Sequence, residues 1–149
     1  MKIVHDNRAD EILRIEHLLY GANYAVWLNL YGPLDTDLSI EQVIQKHISK
    51  SAKIANIQAL TPNNARSEIL ESLCYLGDSS SGPINLAEKQ QEVIELSNVL
   101  FSRAGLHEAS IVYSFSFTEG HPAYPVYWDF SFDIHSQGKR WIFLGSSSD

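Results

Sequence analysis

The sequence predicts a single α+β domain, in which an N-terminal layer of four or five helices packs on a C-terminal antiparallel sheet of at least three strands. Three observations carry that expectation. Apolar residues recur every three or four positions up to Gly105, they alternate at every second position beyond it, and helix-starting and helix-stopping residues stand at the ends of the first set. With 149 residues, 44% of them hydrophobic, the chain has the apolar surface for one core.

The first helix is expected from about Asp10 to Tyr20, with Ile12, Leu13, Leu19 and Tyr20 facing inward and Gly21 as a break. "ANYAVWLNLYGPL" follows, apolar almost all round, and reads as a short, deeply buried helix ended by Gly32-Pro33. In "SIEQVIQKHISKSAKIANI", Ile40, Val43, Ile44, Ile48, Ala52 and Ala55 recur at helical spacing, while Glu41, Gln45, Lys46, Ser49, Lys50 and Lys53 take the other side. Ser39 is its N-cap. "TPNNARSEILESLCYLG" is a helix burying Ile69, Leu70, Leu73 and Leu76, with Gly77 placed to end it in a left-handed conformation. From Asn85 to Gly105 a further helix buries Leu86, Val93, Leu96 and Leu100. The intervening "GDSSSGP" is a loop of turn formers and not a domain linker.

Beyond Gly105, "SIVYSFSF" alternates Tyr113, Phe115 and Phe117 against Val112, Ser114 and Ser116. "YWDFSFDI" alternates Trp128, Phe130, Phe132 and Ile134 against Tyr127, Asp129, Ser131 and Asp133. Both are strands, joined by the turn-rich "TEGHPAYP". A two-residue hairpin at Gln137-Gly138 sets Ile134 opposite Trp141 and Phe132 opposite Phe143, which gathers the large apolar groups on one face. A slip by one residue would mix them with the acids. The helices should cover the face of Trp128, Phe130, Phe132, Trp141 and Phe143.

The other face holds Tyr127, Asp129, Ser131, Asp133 and His135 beside Arg140, Ile142 and Leu144, and is expected to meet solvent or a partner. Asp129 and Asp133 lie four residues apart on an extended chain, about 13 Å at about 3.3 Å per residue, too far to share one ion. Asp133 and His135 lack a third ligand, and Arg140 competes as a salt-bridge partner. Cys74 stands alone, which excludes an intramolecular disulfide and a multi-cysteine zinc site and leaves a buried structural thiol. His121, before Pro122 and two residues after Glu119, reads as a hydrogen-bonding corner, and His5, His17, His47 and His107 are scattered. The chain carries no "HExxH", no phosphate-cradling glycine loop and no "GxSxG". No catalytic residue, metal or cofactor is therefore expected.

Eighteen acidic against eleven basic side chains leave a formal charge of −7, which repels nucleic-acid phosphate and anionic lipid. The N-terminus mixes charged with apolar residues, and no later run approaches transmembrane length, so a cytoplasmic location is expected, with neither nucleic acid nor membrane as partner.

The segment "HPAYPVYWDFSFDI", its hairpin and the terminal "FLGSSSD" together resemble bacterial immunity proteins of polymorphic toxin and contact-dependent growth-inhibition systems. The resemblance covers the C-terminal segment and implies a role, not an architecture. It implies a small non-enzymatic protein that binds one cognate toxin domain and blocks its active site or substrate groove. A toxin of nuclease type has a basic groove, which an acidic inhibitor complements. Face analysis offers Tyr127, Asp129, Asp133 and His135 as contacts, or Asp35 and Asp37 in "YGPLDTD". Two rivals stand beside this reading. One is a hydrolase-type enzyme using Asp129 and Asp133 with His135 or His121; the other is an interaction module that forms a homodimer through a sheet edge or face.

Overall fold

A computed structural model describes residues 8–78 and 80–149. Helices and strands are interleaved along it: α1 (Asp10–Leu19), β1 (Gly21–Ala22), β2 (Ala25–Leu34), α2 (Ile40–His47), β3 (Lys53–Leu60), α3 (Pro62–Leu73), β4 (Gly82–Pro83), α4 (Leu86–Ala104), a 3₁₀ turn (Leu106–Glu108), β5 (Ile111–Glu119), β6 (Asp129–Ser136) and β7 (Lys139–Ser148). The class is α+β, but the expected order of helices followed by strands is wrong, because β2 and β3 precede α3. Five strands form one antiparallel sheet in the order β2-β7-β6-β5-β3, and β1 pairs with β4 apart from it. No described helix is long and apolar enough to cross a membrane.

The segment expected as a buried helix is β2, and its all-round apolar character has a different cause. It is apolar on both sides because both faces of the sheet are covered. Val26, Leu28 and Leu30 enter one core, while Trp27, Tyr31 and Leu34 enter a second. A two-sided strand has no period, so periodicity cannot separate it from a buried helix.

The helix expected to run from Ser39 to Ala55 stops at His47. Its start is as expected: the Ser39 hydroxyl accepts the Gln42 N–H, and the Gln42 side chain accepts the Ser39 N–H in return. A turn closed by the Ala52 N–H on the Ser49 carbonyl then leads into β3, an edge strand whose register shifts beside the left-handed Asn56 (φ 56°). Two residues expected to point inward, Tyr20 and Leu76, are exposed; Ile15 and Leu18 complete the buried stripe of α1.

Gln137 and Gly138 form the hairpin turn, with φ of 54° and 74° that suit a two-residue loop. The expected register holds, with Phe132 opposite Phe143 and Ile134 opposite Trp141. On that face Phe130, Phe132 and Phe143 pack under α1, α3 and α4, with Trp128 and Trp141 at the margin. The face expected to meet solvent or a partner is covered over much of its area. There α2 lays Ile40, Val43 and Ile44 in a cluster with Phe115, Ile142 and Leu144, so the sheet has helices on both sides.

The sheet is not continuous along its whole length. β5 and β6 pair from Ile111 opposite His135 to Ser114 opposite Phe132, and there the pairing stops. Beyond it β5 stays on β3, while Asp129, Phe130 and Ser131 stay on β7. The lead-in to β6 is held away from β5 by β7. The amides of Val126 and Tyr127 donate to the Ser147 carbonyl, and the Ser147 N–H donates to the Trp128 carbonyl.

Candidate functional site

The residues singled out from the sequence fall into two separate places. Asp133 is wholly buried and forms a two-pronged ion pair with Arg140, Nε to Oδ1 at 2.8 Å and Nη2 to Oδ2 at 3.0 Å. His135 meets the same carboxylate at 2.9 Å. The remaining Arg140 nitrogen, Nη1, donates to the carbonyls of Asp35 and Leu38, which fastens the β2–α2 loop over the sheet. Asp133 thus serves the fold and presents nothing to a partner, against the expectation; His135, its side chain 25% exposed, is largely enclosed with it.

Asp35 is a half-exposed acceptor for Lys46 Nζ and His47 Nε2, both at 2.8 Å, and these bonds, His47 first, hold its carboxyl below the usual carboxylate range. Asp37 is exposed. Tyr127 is half-buried; its hydroxyl donates to the Asn23 carbonyl at 3.0 Å and its ring packs against those of Tyr24 and Tyr75. Burial pushes the Tyr24 hydroxyl up to about 12. That hydroxyl accepts the Trp128 indole N–H at 2.8 Å.

Asp129 belongs to the second place. It is exposed at the parting of β5 and β6, on a cleft of about 480 Å³. The walls come from both layers. Glu68, Glu71, Ser72 and Tyr75 come from α3 and its C-terminal end, Trp128 and Phe130 from the aromatic margin of the first core, and Phe115 from the second core. Glu68, Glu71 and Asp129 give it three carboxylates, and no lysine or arginine lines it among the described residues. Asp129 also borders an adjoining hollow of about 440 Å³ that contains Glu119 and His121.

Among the described residues, the two buried side-chain atoms without a hydrogen-bond partner, Ser131 Oγ and His121 Nε2, both belong to residues lining these two spaces. His121 is the expected hydrogen-bonding corner: its Nδ1 accepts the Ala123 N–H at 2.9 Å, so in the neutral ring the proton sits on Nε2. Desolvation lowers its pKa, which keeps the ring neutral at pH 7.

These groups do not assemble common enzyme machinery. A serine nucleophile needs a base within hydrogen-bond reach, whereas Ser131 Oγ has no partner and His121 Nδ1 is occupied by a backbone amide. No group of three histidine, cysteine, aspartate or glutamate side chains is placed to hold a metal among the described residues. The Cys74 thiol is half-buried, and burial raises its pKa, away from a reactive thiolate. His17, His47 and His107 do not line the cleft, and His5 lies outside the described residues.

Glu68, Glu71 and Tyr75 were not singled out from sequence, although their spacing of three and four places them on one side of a helix. That this side looks at the parting of two strands is a tertiary fact. No protein-family model and no curated protein matches the chain. Among solved structures it is similar to citrus MAF1, with a TM-score of 0.49 and 13% identity over 94% of this chain and 99% of that one. A likeness of that degree assigns neither family nor activity.

Proposed function

We propose that this protein is an immunity protein: a cytoplasmic, non-enzymatic inhibitor that binds one basic toxin domain and blocks its active site or substrate groove. The observation that carries the reading is the acidic, aromatic cleft beside Asp129. Carboxylates of one sign, beside rings and strand edges without a strand neighbour, make a surface for a cationic protein and a poor one for nucleic acid or lipid. The charge of −7 adds a long-range field that speeds encounter with such a partner. The C-terminal resemblance supports the same role. Contacts are assigned to Asp129 and the accessible part of Tyr127, joined by Glu68, Glu71, Tyr75 and Trp128, with Asp37 on the far loop as a peripheral charge.

Co-expression with the product of a neighbouring reading frame that by itself arrests growth is the direct test. The wild-type protein should rescue growth, and Glu71→Lys combined with Asp129→Lys should not, with both proteins folded by circular dichroism. Failure of the wild type to rescue would remove the proposal. Equal rescue by the double reversal would move the contact away from the cleft.

A further inference from the structure

We infer that the cleft between β5 and β6 is an arginine socket: it receives one guanidinium group projected by the partner chain, whose tip reaches the Ser131 hydroxyl. This deepens the immunity reading and rests on it for the identity of the partner, but not for the chemistry of the site.

Four observations converge on the guanidinium. The first is the floor. Ser131 is only 2% exposed, lines the cleft, and its hydroxyl has no partner, so a buried polar group waits for one. The second is depth. The α3 residues stand on the first-core side of the sheet, while Ser131 alternates with Phe130 and Phe132 and so belongs to the opposite side. A ligand entering past Glu68, Glu71 and Tyr75 must pass between the parted strands to reach it, which requires a long, thin stem with its polar group at the end. The third is charge: three carboxylates and no cation among the described lining residues favour a positive tip. The fourth is the wall. The rings of Trp128 and Phe130 lie parallel, 2° apart in plane with centroids at 5.9 Å, and Trp128 and Tyr75 are both part of the lining.

Between the two cationic side chains, arginine fits better. Where β5 and β6 part, the strand edges that face each other have no neighbouring strand, so acceptors stand in several directions around the gap. A planar fork with five N–H groups can serve the Ser131 hydroxyl, a strand carbonyl and the Asp129 carboxylate at once, while the aromatic wall packs its methylene stem; an ammonium is a point charge that is costlier to strip of water. His121 takes the complementary role at the adjoining hollow. Its Nε2–H is a buried donor without an acceptor, suited to a carbonyl of the arginine-bearing segment.

The test uses the full protein and three capped tripeptides, glycine-X-glycine with X as arginine, lysine or citrulline, followed by ¹⁵N NMR titration. The arginine peptide should give saturable shifts at the Ser131 amide and at the Trp128 amide and indole N–H. Citrulline, which keeps the shape and loses the charge, should give none there, and lysine should bind several-fold more weakly. Glu68→Gln with Glu71→Gln should weaken the arginine peptide at least tenfold, and Ser131→Ala several-fold. Glu88→Gln with Glu95→Gln on α4, an equal change of charge elsewhere, should leave it unchanged. Absent or non-saturable shifts at these groups, equal binding of lysine or citrulline, or an unaffected Glu68→Gln/Glu71→Gln variant would each overturn the socket. Arginine-peptide binding in a protein that rescues no toxin-expressing cell would leave the socket and remove the immunity role. Rescue without peptide binding would do the reverse.

Discussion

At the scale of single residues, the pair Asp133 and Arg140 shows how a polar sheet face was recruited to structure. Both side chains are almost fully inaccessible, and the guanidinium satisfies the carboxylate and two loop carbonyls together. Removing one partner of such a pair strands the other charge in a low-dielectric site. Arg140→Met should therefore lower stability in urea denaturation by about 3–5 kcal/mol. Adding Asp133→Leu to it should recover part of the loss, because no buried charge then remains unpaired. Tyr24 gives a second residue-scale outcome. Its hydroxyl titrates near 12 in the fold against 10.0 for the free group, so the unfolded chain loses its proton first as pH rises. The contribution of Tyr24 to stability is constant below about pH 10 and falls between about pH 10 and 12, by up to about 2–3 kcal/mol at about 1.4 kcal/mol per pH unit. Thermal melts of the wild type across that window should fall more steeply than those of Tyr24→Phe, which lacks the group.

At the scale of elements, the shortest described α-helix is the most open to perturbation. α2 has eight residues and supplies the helical cover of the second core, a length that is not stable alone in water. Its capping box compensates. Ser39→Ala removes the acceptor of the Gln42 N–H and should cost about 1 kcal/mol, lowering the melting temperature by about 2–4 °C. The edge of β2 is managed by α1 and by Arg8, two residues ahead of it: Leu28 donates its N–H to Glu16 and accepts from Arg8, so side chains occupy groups that another strand would seek. Gly145 shows how tightly β7 sits in the first core. A Cβ there would meet the Phe130 ring at 2.4 Å and Leu28 at 2.8 Å, so Gly145→Ala should lose about 1–3 kcal/mol to overpacking in the same melts.

At the scale of the whole molecule, the net charge of −7 and the local charge of the cleft act on different quantities. The overall field governs how fast a basic partner arrives; the cleft governs how long it stays. Under the proposed role, raising salt should slow association with the toxin domain in stopped-flow measurements and change dissociation much less, since screening at about 0.15 M cuts the reach of the field to about 8 Å. Glu68→Gln with Glu71→Gln should show the opposite emphasis, with faster dissociation as the larger effect. A variant that altered association alone would assign those glutamates to steering and not to contact.

Local patterns in the chain were enough to set α1, α3 and α4, the cap of α2, and the β6–β7 hairpin with its register, because each depends on periodicity or turn chemistry within a few residues of itself. Net charge is legible in the same way. β2 was not, since its apolar run takes its meaning from a helix on either side of the sheet, nor was β3, where the spacing of Ala52 and Ala55 continues the helical rhythm of α2 after the helix has ended. For the site the division is similar. Asp129, Asp133 and His135 alternate identically in sequence, yet α2 and the loop that Arg140 fastens bury one, largely enclose another and leave the third at the cleft. The cleft itself exists because β6 stays on β7 while β5 stays on β3, and the side chains of α3 turn a gap between strands into an acidic pocket. Such a gap is the outcome of pairings between segments far apart in the chain, which no local pattern records.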